Sequence, residues 1–374
     1  MDLDFSDDQK ELRNHLRRFF AEKCPPGAVR AVLDGAQPFD RALYSELAQL
    51  GMLGAAIPEE YGGAGIGYLE LCVLAEEAGR ALAPVPISSS VFLAAEFLLA
   101  AGSAEQKQRW LPVIAAGEAV GTFAFAERAG RVTSATIACA VHDNMLSGRK
   151  IVVPDGAVAD FAIVAAQADG QVGLFLAELS GPGVQRRAVE TIDPARPLAE
   201  LVFTDVPVTP LDGSDGWATI ERVFDRAAVL LAFEQIGGAE RALEMGRDYA
   251  LSRTAFGRVI GSFQAIKHML ADMYVAVTLA RSNAYFAAWA LSNDAPELPV
   301  AAATARVSAT HAFQLCAKNN IQVHGGVGFT WEFDCHLYYR RSQALALALG
   351  SLSLWESRLV ERLAMRNHDQ GAAR

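Results

Sequence analysis

Residues 253–267 read RTAFGRVIGSFQAIK, and they interrupt two segments that the hydrophobic pattern predicts as long helices. Apolar residues recur at helical spacing on both sides of this break, over residues 216–251 and 263–292. An arginine at such a break can pair with a pyrophosphate, an aromatic ring can cover a planar group, and a glycine lets the backbone approach a ligand closely. The alternative interpretation is a helix C-terminus with a favourable cation and a glycine cap.

A second unusual segment is QVHGGVGFT at residues 322–330, which follows a predicted helix over residues 299–319. Three glycines in four residues contribute little to packing, so this run favours a backbone that lies close to a ligand or another subunit. A third glycine-rich run, at residues 62–67, does not fit a dinucleotide-binding loop, because a helix and Pro58 precede it where that motif needs a strand.

The rest of the chain divides into three blocks. Helical periodicity dominates up to about residue 117 and again after residue 212, where the last predicted helix runs to about residue 368. Between them lie short β-rich runs, which predict an antiparallel barrel or sandwich and lack βαβ alternation. We therefore predict three domains, residues 1–117, 118–212 and 213–374. The β-rich runs are MLSGRKIVV, DFAIVAAQ, QVGLFLAEL and LAELVFTDV.

Composition excludes several classes of protein. The 374 residues carry 33 Lys and Arg against 43 Asp and Glu, a net charge of −10, which argues against a nucleic-acid partner. The five cysteines are scattered without a CxxC pair and the seven histidines lack metal-ligand spacing, so we expect neither a disulfide framework nor a metal site. No apolar run is long enough to span a membrane, and the acidic start of the chain is unlike a signal peptide, so we predict a cytoplasmic protein.

Together with PEEYGG at residues 58–63, the two glycine-containing segments resemble the acyl-CoA dehydrogenase family over nearly the whole chain. The patterns RxxFGxxIxxFQ, from Arg253, and QxHGGxGF, from Gln322, carry the resemblance most specifically. It implies an α+β, mostly α fold with an N-terminal helical domain, a middle β-barrel domain and a C-terminal four-helix bundle. It also implies FAD as cofactor, an acyl-CoA thioester as substrate, and desaturation between Cα and Cβ, in fatty acid or steroid catabolism.

The resemblance further implies which residues bind the cofactor. In this family, elements of one subunit contribute to the FAD site of a neighbouring subunit, usually within a tetramer. The matching residues of this chain are all intact. They are Arg253, Phe256, Gln264, Gln322, Gly325 and Gly326.

The chain departs from the family where the catalytic base is expected. The carboxylate that removes the α-proton lies near the C-terminus, before Gly-Thr, or on the first long helix of the last domain; the matching residues here are Leu349 and Ala227. Glu234 is the substitute we predict, because it lies seven residues beyond Ala227, on the same helix face and within an apolar run. The alternative is a structural glutamate inside the bundle or at a subunit contact, and Asp225 is a weaker candidate.

The middle domain departs as well. The chain has AERAG at residues 126–130 where the family has Thr-Glu-Pro followed by Gly-Ser-Asp, and KIVVP at residues 150–154 where it has Lys-x-Trp-Ile-Thr against the flavin ring. The chain thus has the residues with which the family contacts the FAD of a neighbouring subunit. It does not have the residues with which the family contacts the flavin ring of its own FAD. This pattern is similar to the degenerate subunit of heteromeric family members.

Three functions remain open at this point. The first is an FAD-dependent acyl-CoA dehydrogenase, acting as a homotetramer or as one subunit of a heterotetramer with a homologous chain. The second is a catalytically silent subunit that completes the FAD site of its partner. The third is a non-redox acyl-CoA-binding protein or lyase on the same scaffold.

Overall fold

A computed structural model describes residues 5–212 and 215–372. The first helix begins at a capping box formed by Ser6 and Gln9, and the long helix that starts at Leu298 ends where Gly325 takes a left-handed φ of 65°. The helices are α1 Asp7–Lys23, α2 Pro26–Leu33, α3 Arg41–Gln49, α4 Tyr68–Ala81, α5 Ile87–Ser89, α6 Glu96–Ala101, α7 Ala104–Ala115, α8 Gly216–Ser252, α9 Gln264–Ser292, α10 Leu298–His324, α11 Cys335–Leu347 and α12 Leu352–Ala372.

The strands form one large sheet and one small hairpin. The four β-rich runs found in the sequence are confirmed as β3, β4, β5 and β7, whereas three shorter strands, β1, β2 and β6, had no clear pattern. The strands are β1 Gly121–Ala124, β2 Ala140–His142, β3 Met145–Pro154, β4 Phe161–Ala168, β5 Gln171–Glu178, β6 Val184–Val189, β7 Leu198–Pro210, β8 Thr254–Ala255 and β9 Arg258–Val259.

The large sheet closes into a barrel. Strands β4, β2, β3, β7 and β5 pair in that order, and β5 returns to pair with β4, so the five strands form a ring with β1 and β6 on its flanks. The predicted antiparallel arrangement holds for most pairs, but β4 pairs in parallel with both β1 and β2. The six residues from Phe161 to Ala166 are completely buried, which explains why β4 reads as a continuous apolar run.

The fold class predicted from the resemblance is confirmed: helices precede and follow a central β-barrel. The chain divides into two compact units that do not follow its linear order. Unit 1 comprises residues 1–29, 68–83 and 228–374, and unit 2 comprises residues 30–67 and 84–227. The three predicted domains stay a prediction, and the boundary placed at Gly213 lies outside the described residues.

Within unit 1, helices α4 and α8 cross at very short range. A Cβ atom on Gly79 of α4 would collide with the carbonyl oxygen of Glu234 on α8, and one on Gly237 would collide with the carbonyl oxygen of Glu76. Glycine at both positions lets the two backbones touch. Glu234 therefore lies at a tight helix crossing. Among the described helices, none is long and apolar enough to cross a membrane.

Candidate functional site

The break between α8 and α9 is a two-residue hairpin. Strands β8 and β9 flank Phe256 and Gly257, which have φ angles of 54° and 79°. Two successive left-handed residues are typical of a type I′ turn, where glycine or asparagine is the usual first residue. Phe256 occupies this strained position and is 95% exposed. A large apolar side chain held in an unfavourable backbone conformation in solvent indicates a contact with another molecule.

The polar residues of this segment also face solvent. Arg253, the first residue after α8, and Gln264, the first residue of α9, are both exposed. The backbone between them is ordered by two hydrogen bonds of 2.8 Å, from Arg253 N–H to the carbonyl of Tyr249 and from Ile260 N–H to the carbonyl of Arg253. Gly257 forms the hairpin turn between β8 and β9. Helix α8 ends at Ser252, so Gly257 is not its cap, as the alternative interpretation of this segment required.

The second glycine-containing segment ends α10. Gln322 is exposed in the last turn, and Gly325 and Gly326 follow the helix directly. A Cβ atom on either glycine would meet no heavy atom within 4 Å, so the space beside this backbone is open. The positive φ of Gly325 accounts for a glycine at the end of the helix, but neither packing nor a positive φ explains Gly326, whereas a ligand that lies against the bare backbone would.

An aromatic stack joins these two segments inside unit 1. The rings of Tyr249, one turn before Arg253, and His324, directly before Gly325, lie 4.1 Å apart at an angle of 23°. The six predicted cofactor residues thus lie at the ends of α8 and α10 and at the start of α9, and all six are exposed. The structure brings the two segments together through residues that the sequence analysis had not selected.

These residues have the chemistry that the ADP portion of FAD requires. An exposed guanidinium, at Arg253, can pair with a pyrophosphate, and the open backbone at Gly325 and Gly326 can approach it closely. The exposed ring of Phe256 offers a flat apolar surface. These residues therefore fit one side of an FAD site, the side that contacts the ADP portion.

The barrel segment that would face a flavin ring is less suited to it. Lys150 is fully buried, and its Nζ donates to the carbonyl of Phe125 at 3.0 Å and to Glu127 Oε1 at 2.7 Å. Burial lowers the pKa of Lys150. Burial alone would raise the pKa of Glu127, but the hydrogen bonds from Lys150 and from two backbone N–H groups outweigh it, so that the pKa of Glu127 is lowered. Lys150 and Glu127 thus form an ion pair with each other inside the barrel.

The next residue with an unusual backbone in this segment is Val152. It has a φ of 48° in a bulge of β3 and is 45% exposed. A β-branched residue in the left-handed region is strained by on the order of 1–3 kcal/mol, a feature that clusters at functional sites. Its aliphatic side chain offers neither a stacking ring nor a hydrogen bond to a flavin.

Glu234 lies in the middle of α8 and not with the cofactor residues. It precedes Arg253 by 19 residues, about 28 Å along a helix. It is 2% exposed, and its Oε1 lies 3.6 Å from Nη1 of the equally buried Arg341 on α11. Arg341 also donates to the carbonyl of Leu82 at 3.3 Å. Asp225 is 5% exposed, so burial alone does not distinguish the two carboxylates.

The loop between α11 and α12, which carries Leu349, is held by buried groups. Arg306 of α10 donates to the carbonyls of Leu345 and Ala348 and, at 2.7 Å, to Gln235 Oε1. Burial lowers the pKa of Arg306 to about 10, an effect that the charge of Glu234 opposes. Leu349 itself has a φ of 60°, and Trp355 Nε1 donates to its carbonyl at 3.1 Å. A leucine thus lies in a strained, firmly held loop.

Sequence reasoning found the exposed residues of the site and missed the buried ones. Tyr249 and Arg306 had no motif of their own, although an arginine within the apolar stretch of α10 is a weak signal. His324 lies inside the QxHGGxGF pattern but was not selected as a site residue. Across residues 5–212 and 215–366, no three His, Cys, Asp or Glu side chains are grouped in a way that could hold a metal ion.

Comparisons with known proteins agree with one another. The family model "Acyl-CoA dehydrogenase, N-terminal domain" matches residues 6–118, and "Acyl-CoA dehydrogenase, C-terminal domain" matches residues 214–363. The acyl-CoA dehydrogenase IpdE2 of Mycobacterium tuberculosis is 36% identical, over 92% of this chain and 94% of that protein. FadE27 of the same organism is 33% identical, over 91% and 93%.

Solved structures show the same relationship. A chain of the ChsE4–ChsE5 complex from Mycobacterium tuberculosis is 30% identical, with a TM-score of 0.88 over 97% of this chain and 99% of that one. A chain of the Tcur3481–Tcur3483 steroid acyl-CoA dehydrogenase, solved as a variant, is 32% identical, with a TM-score of 0.88 over 98% and 99%.

Proposed function

The chain belongs to the acyl-CoA dehydrogenase family, and from this premise we propose that it is one subunit of a heteromeric, FAD-dependent acyl-CoA dehydrogenase. On this proposal it contributes cofactor-binding residues to a homologous partner that carries the catalytic base. The observation that carries the proposal is a contrast within one chain. All six residues lent to a neighbour's FAD are present and exposed, whereas both positions for the base are apolar.

The exposure of the cofactor segments supports an assembly of more than one chain. Arg253 and Phe256 project from the end of α8, where the described residues of the same chain leave them in solvent. Helix α9 begins at this segment and exposes further large apolar side chains, with Tyr274 64%, Val275 53% and Leu279 60% exposed. Apolar surface of this kind is typical of an interface between subunits. We therefore propose a tetramer in which these segments meet the partner's cofactor.

The base positions support a division of labour between the subunits. Leu349 cannot accept a proton, and Ala227 is completely buried and has no functional group. The aliphatic Val152 stands where the family has the tryptophan against the flavin ring. These changes affect two separate parts of the chain and lead to the same conclusion, that the flavin ring and the reacting thioester lie in the partner's site.

When bound, FAD accepts the hydride from the acyl chain. The residues of this chain act on the other end of the cofactor. Arg253 places a positive charge at the pyrophosphate, and Gly325 and Gly326 let the backbone lie close to the cofactor because no side chain stands in the way. The proposed substrate is an acyl-CoA thioester, and the relatives described as steroid enzymes favour a bulky acyl group. The cytoplasmic location stays a prediction.

Glu234 is the residue that favours the alternative of a dehydrogenase that is active alone. It remains the substitute base of that alternative, because it is buried on the helix that carries Ala227. Its ion pair with Arg341 favours the structural interpretation instead, since a base must reach the substrate α-carbon and this carboxylate lies against a buried guanidinium. The non-redox acyl-CoA-binding protein, the third function, has no observation in its favour.

The proposal is tested by a dye-reduction assay on the chain alone and on the assembled enzyme. We expect the chain alone, supplied with excess FAD and a panel of acyl-CoA thioesters, to leave a ferrocenium dye oxidised. Co-expressed with a homologous chain that has Glu before Gly-Thr, it should form a complex that reduces the dye. Dye reduction by the chain alone, at the rate of the complex, would show instead that it has a complete active site.

A further inference from the structure

The stack of Tyr249 on His324 is the packed feature nearest to the two exposed cofactor segments. Its ring centroids lie 4.1 Å apart and its planes differ by 23°, a separation at which aromatic rings attract each other. Phe333 closes the arrangement from the side, with its ring edge-on to Tyr249 at 5.9 Å and to His324 at 5.5 Å. These three rings, here called the aromatic box, connect the last turn of α8, the last turn of α10 and the turn that precedes α11.

His324 is fixed in the box by its backbone as well as by its ring. It is 7% exposed, and its Nδ1 lies 2.8 Å from the carbonyl oxygen of Asn320. A carbonyl only accepts, so Nδ1 carries the proton and the ring orientation is set. Burial lowers the pKa of His324, although the bond to Asn320 opposes this, so the neutral ring is favoured in the folded chain.

Both cofactor segments are attached directly to the stacked pair. The carbonyl of Tyr249 accepts from Arg253 N–H, and the carbonyl of Arg253 accepts from Ile260 N–H, each at 2.8 Å. On the other side, Gly325 follows His324 without an intervening residue. The Arg253 segment is further held by the pairing of β8 with β9 and by the ring of Phe263, 6.2 Å from that of Phe256, whereas Phe256 and Gly326 themselves are exposed.

We infer that Tyr249 and His324 are positioning residues that fix the distance between the Arg253 segment and the Gly325–Gly326 segment before any ligand arrives. This inference rests on the proposed function in one respect, that the ligand for which the two segments are held in place is FAD. A preorganised site binds more tightly because less conformational freedom is lost on binding. Neither residue needs to touch the cofactor in this role.

The direct test is hydrogen exchange in the flavin-free full-length chain. We expect His324→Ala to speed amide exchange roughly tenfold in residues 253–263 and 325–329, because local opening becomes easier when the stack is lost. His324→Phe keeps a flat ring and should restore slow exchange. Tyr285→Ala is the matched control: it removes another stack of unit 1, on Phe233 at 6.0 Å and 10°, and should leave both segments unchanged.

A second readout separates this inference from the proposed function. In the assembled, flavin-depleted enzyme, His324→Ala should weaken FAD binding about tenfold, and His324→Phe should bind nearly as the unaltered protein does. Faster exchange with unchanged FAD affinity would uphold the positioning role and contradict the assignment of the segments to FAD. The inference is overturned if His324→Ala leaves exchange slow, if Tyr285→Ala has the same effect, or if His324→Phe is no better than His324→Ala.

Discussion

We expect Glu234→Gln to lower the free energy of unfolding of the chain by about 3–5 kcal/mol, and to leave turnover per folded complex nearly unchanged. The ion pair between Glu234 and Arg341 is almost completely excluded from water, with side-chain exposures of 2% and 1%. Neutralising Glu234 removes the negative charge beside the buried guanidinium of Arg341, and the removal of one partner is the costly way to break a buried pair. Arg306 loses a favourable charge at the same time.

Urea unfolding of the single variants and of the double variant measures this effect. Glu234→Gln combined with Arg341→Gln should destabilise the chain less than the sum of the two single changes, since the second change removes the guanidinium that had faced Glu234, while Arg306 loses the charge of Glu234 in both cases. Glu178→Gln is a matched control, because its pair with Arg109 is about half exposed and should contribute less than about 1 kcal/mol. If Glu234 were the base, turnover of the folded, flavin-loaded complex would fall on the order of 10²–10⁴-fold instead.

Arg253→Ala should weaken FAD binding by the assembled enzyme roughly ten- to a hundredfold. An exposed guanidinium that pairs with a pyrophosphate makes charge-assisted hydrogen bonds, whose loss costs about 1.5–3 kcal/mol. Arg128→Ala is the control, because Arg128 is equally exposed but lies in the barrel segment that departs from the family. Flavin fluorescence during titration of the flavin-depleted complexes gives both affinities. Equal losses in the two variants would remove Arg253 from the cofactor site.

The order of helices and the main strands could be predicted from the sequence because each depends on local pattern. Strand β4 reads as an unbroken apolar run and α8 as a long helical one, and both appear where expected. Strands β1 and β2, with four and three residues, are too short for a pattern of their own, and their parallel pairing with β4 depends on distant parts of the chain.

The last helix shows a second kind of limit. The pattern predicts a final helix to about residue 368, and the structure has two helices in this part of the chain, α11 and α12, which are separated at residues 348–351. Leu349 takes a left-handed φ there, and the loop is held by Arg306, which lies 43 residues earlier in the chain. Gly350, with a φ of 104°, is a local signal of the helix end, whereas the hydrogen bonds from Arg306 that hold the loop have no signal in the neighbouring sequence.

The candidate site also contains residues that could be predicted from the sequence and residues that could not. Arg253 and the two glycines could be found because their residue types are unusual at the ends of helices. The partner of Glu234 could not, because Arg341 lies 107 residues away and no spacing rule connects them. The stack of Tyr249 on His324 is hidden for the same reason. The exposed residues of the site could therefore be predicted from their residue types. The contacts between the buried residues that hold them in place could be found only in the structure.

The absorbance spectrum of the purified chain tests most directly whether it completes a partner's FAD site. Expressed alone, the chain should purify without flavin absorbance, because Val152 replaces the tryptophan that lies against the flavin ring in the family pattern. Co-expressed with a homologous chain that retains Glu-Gly-Thr and Lys-x-Trp-Ile-Thr, it should co-purify as a yellow complex, and Arg253→Ala should bleach that complex far more than Arg128→Ala. A yellow protein from the chain expressed alone, with one FAD per chain, would contradict the account.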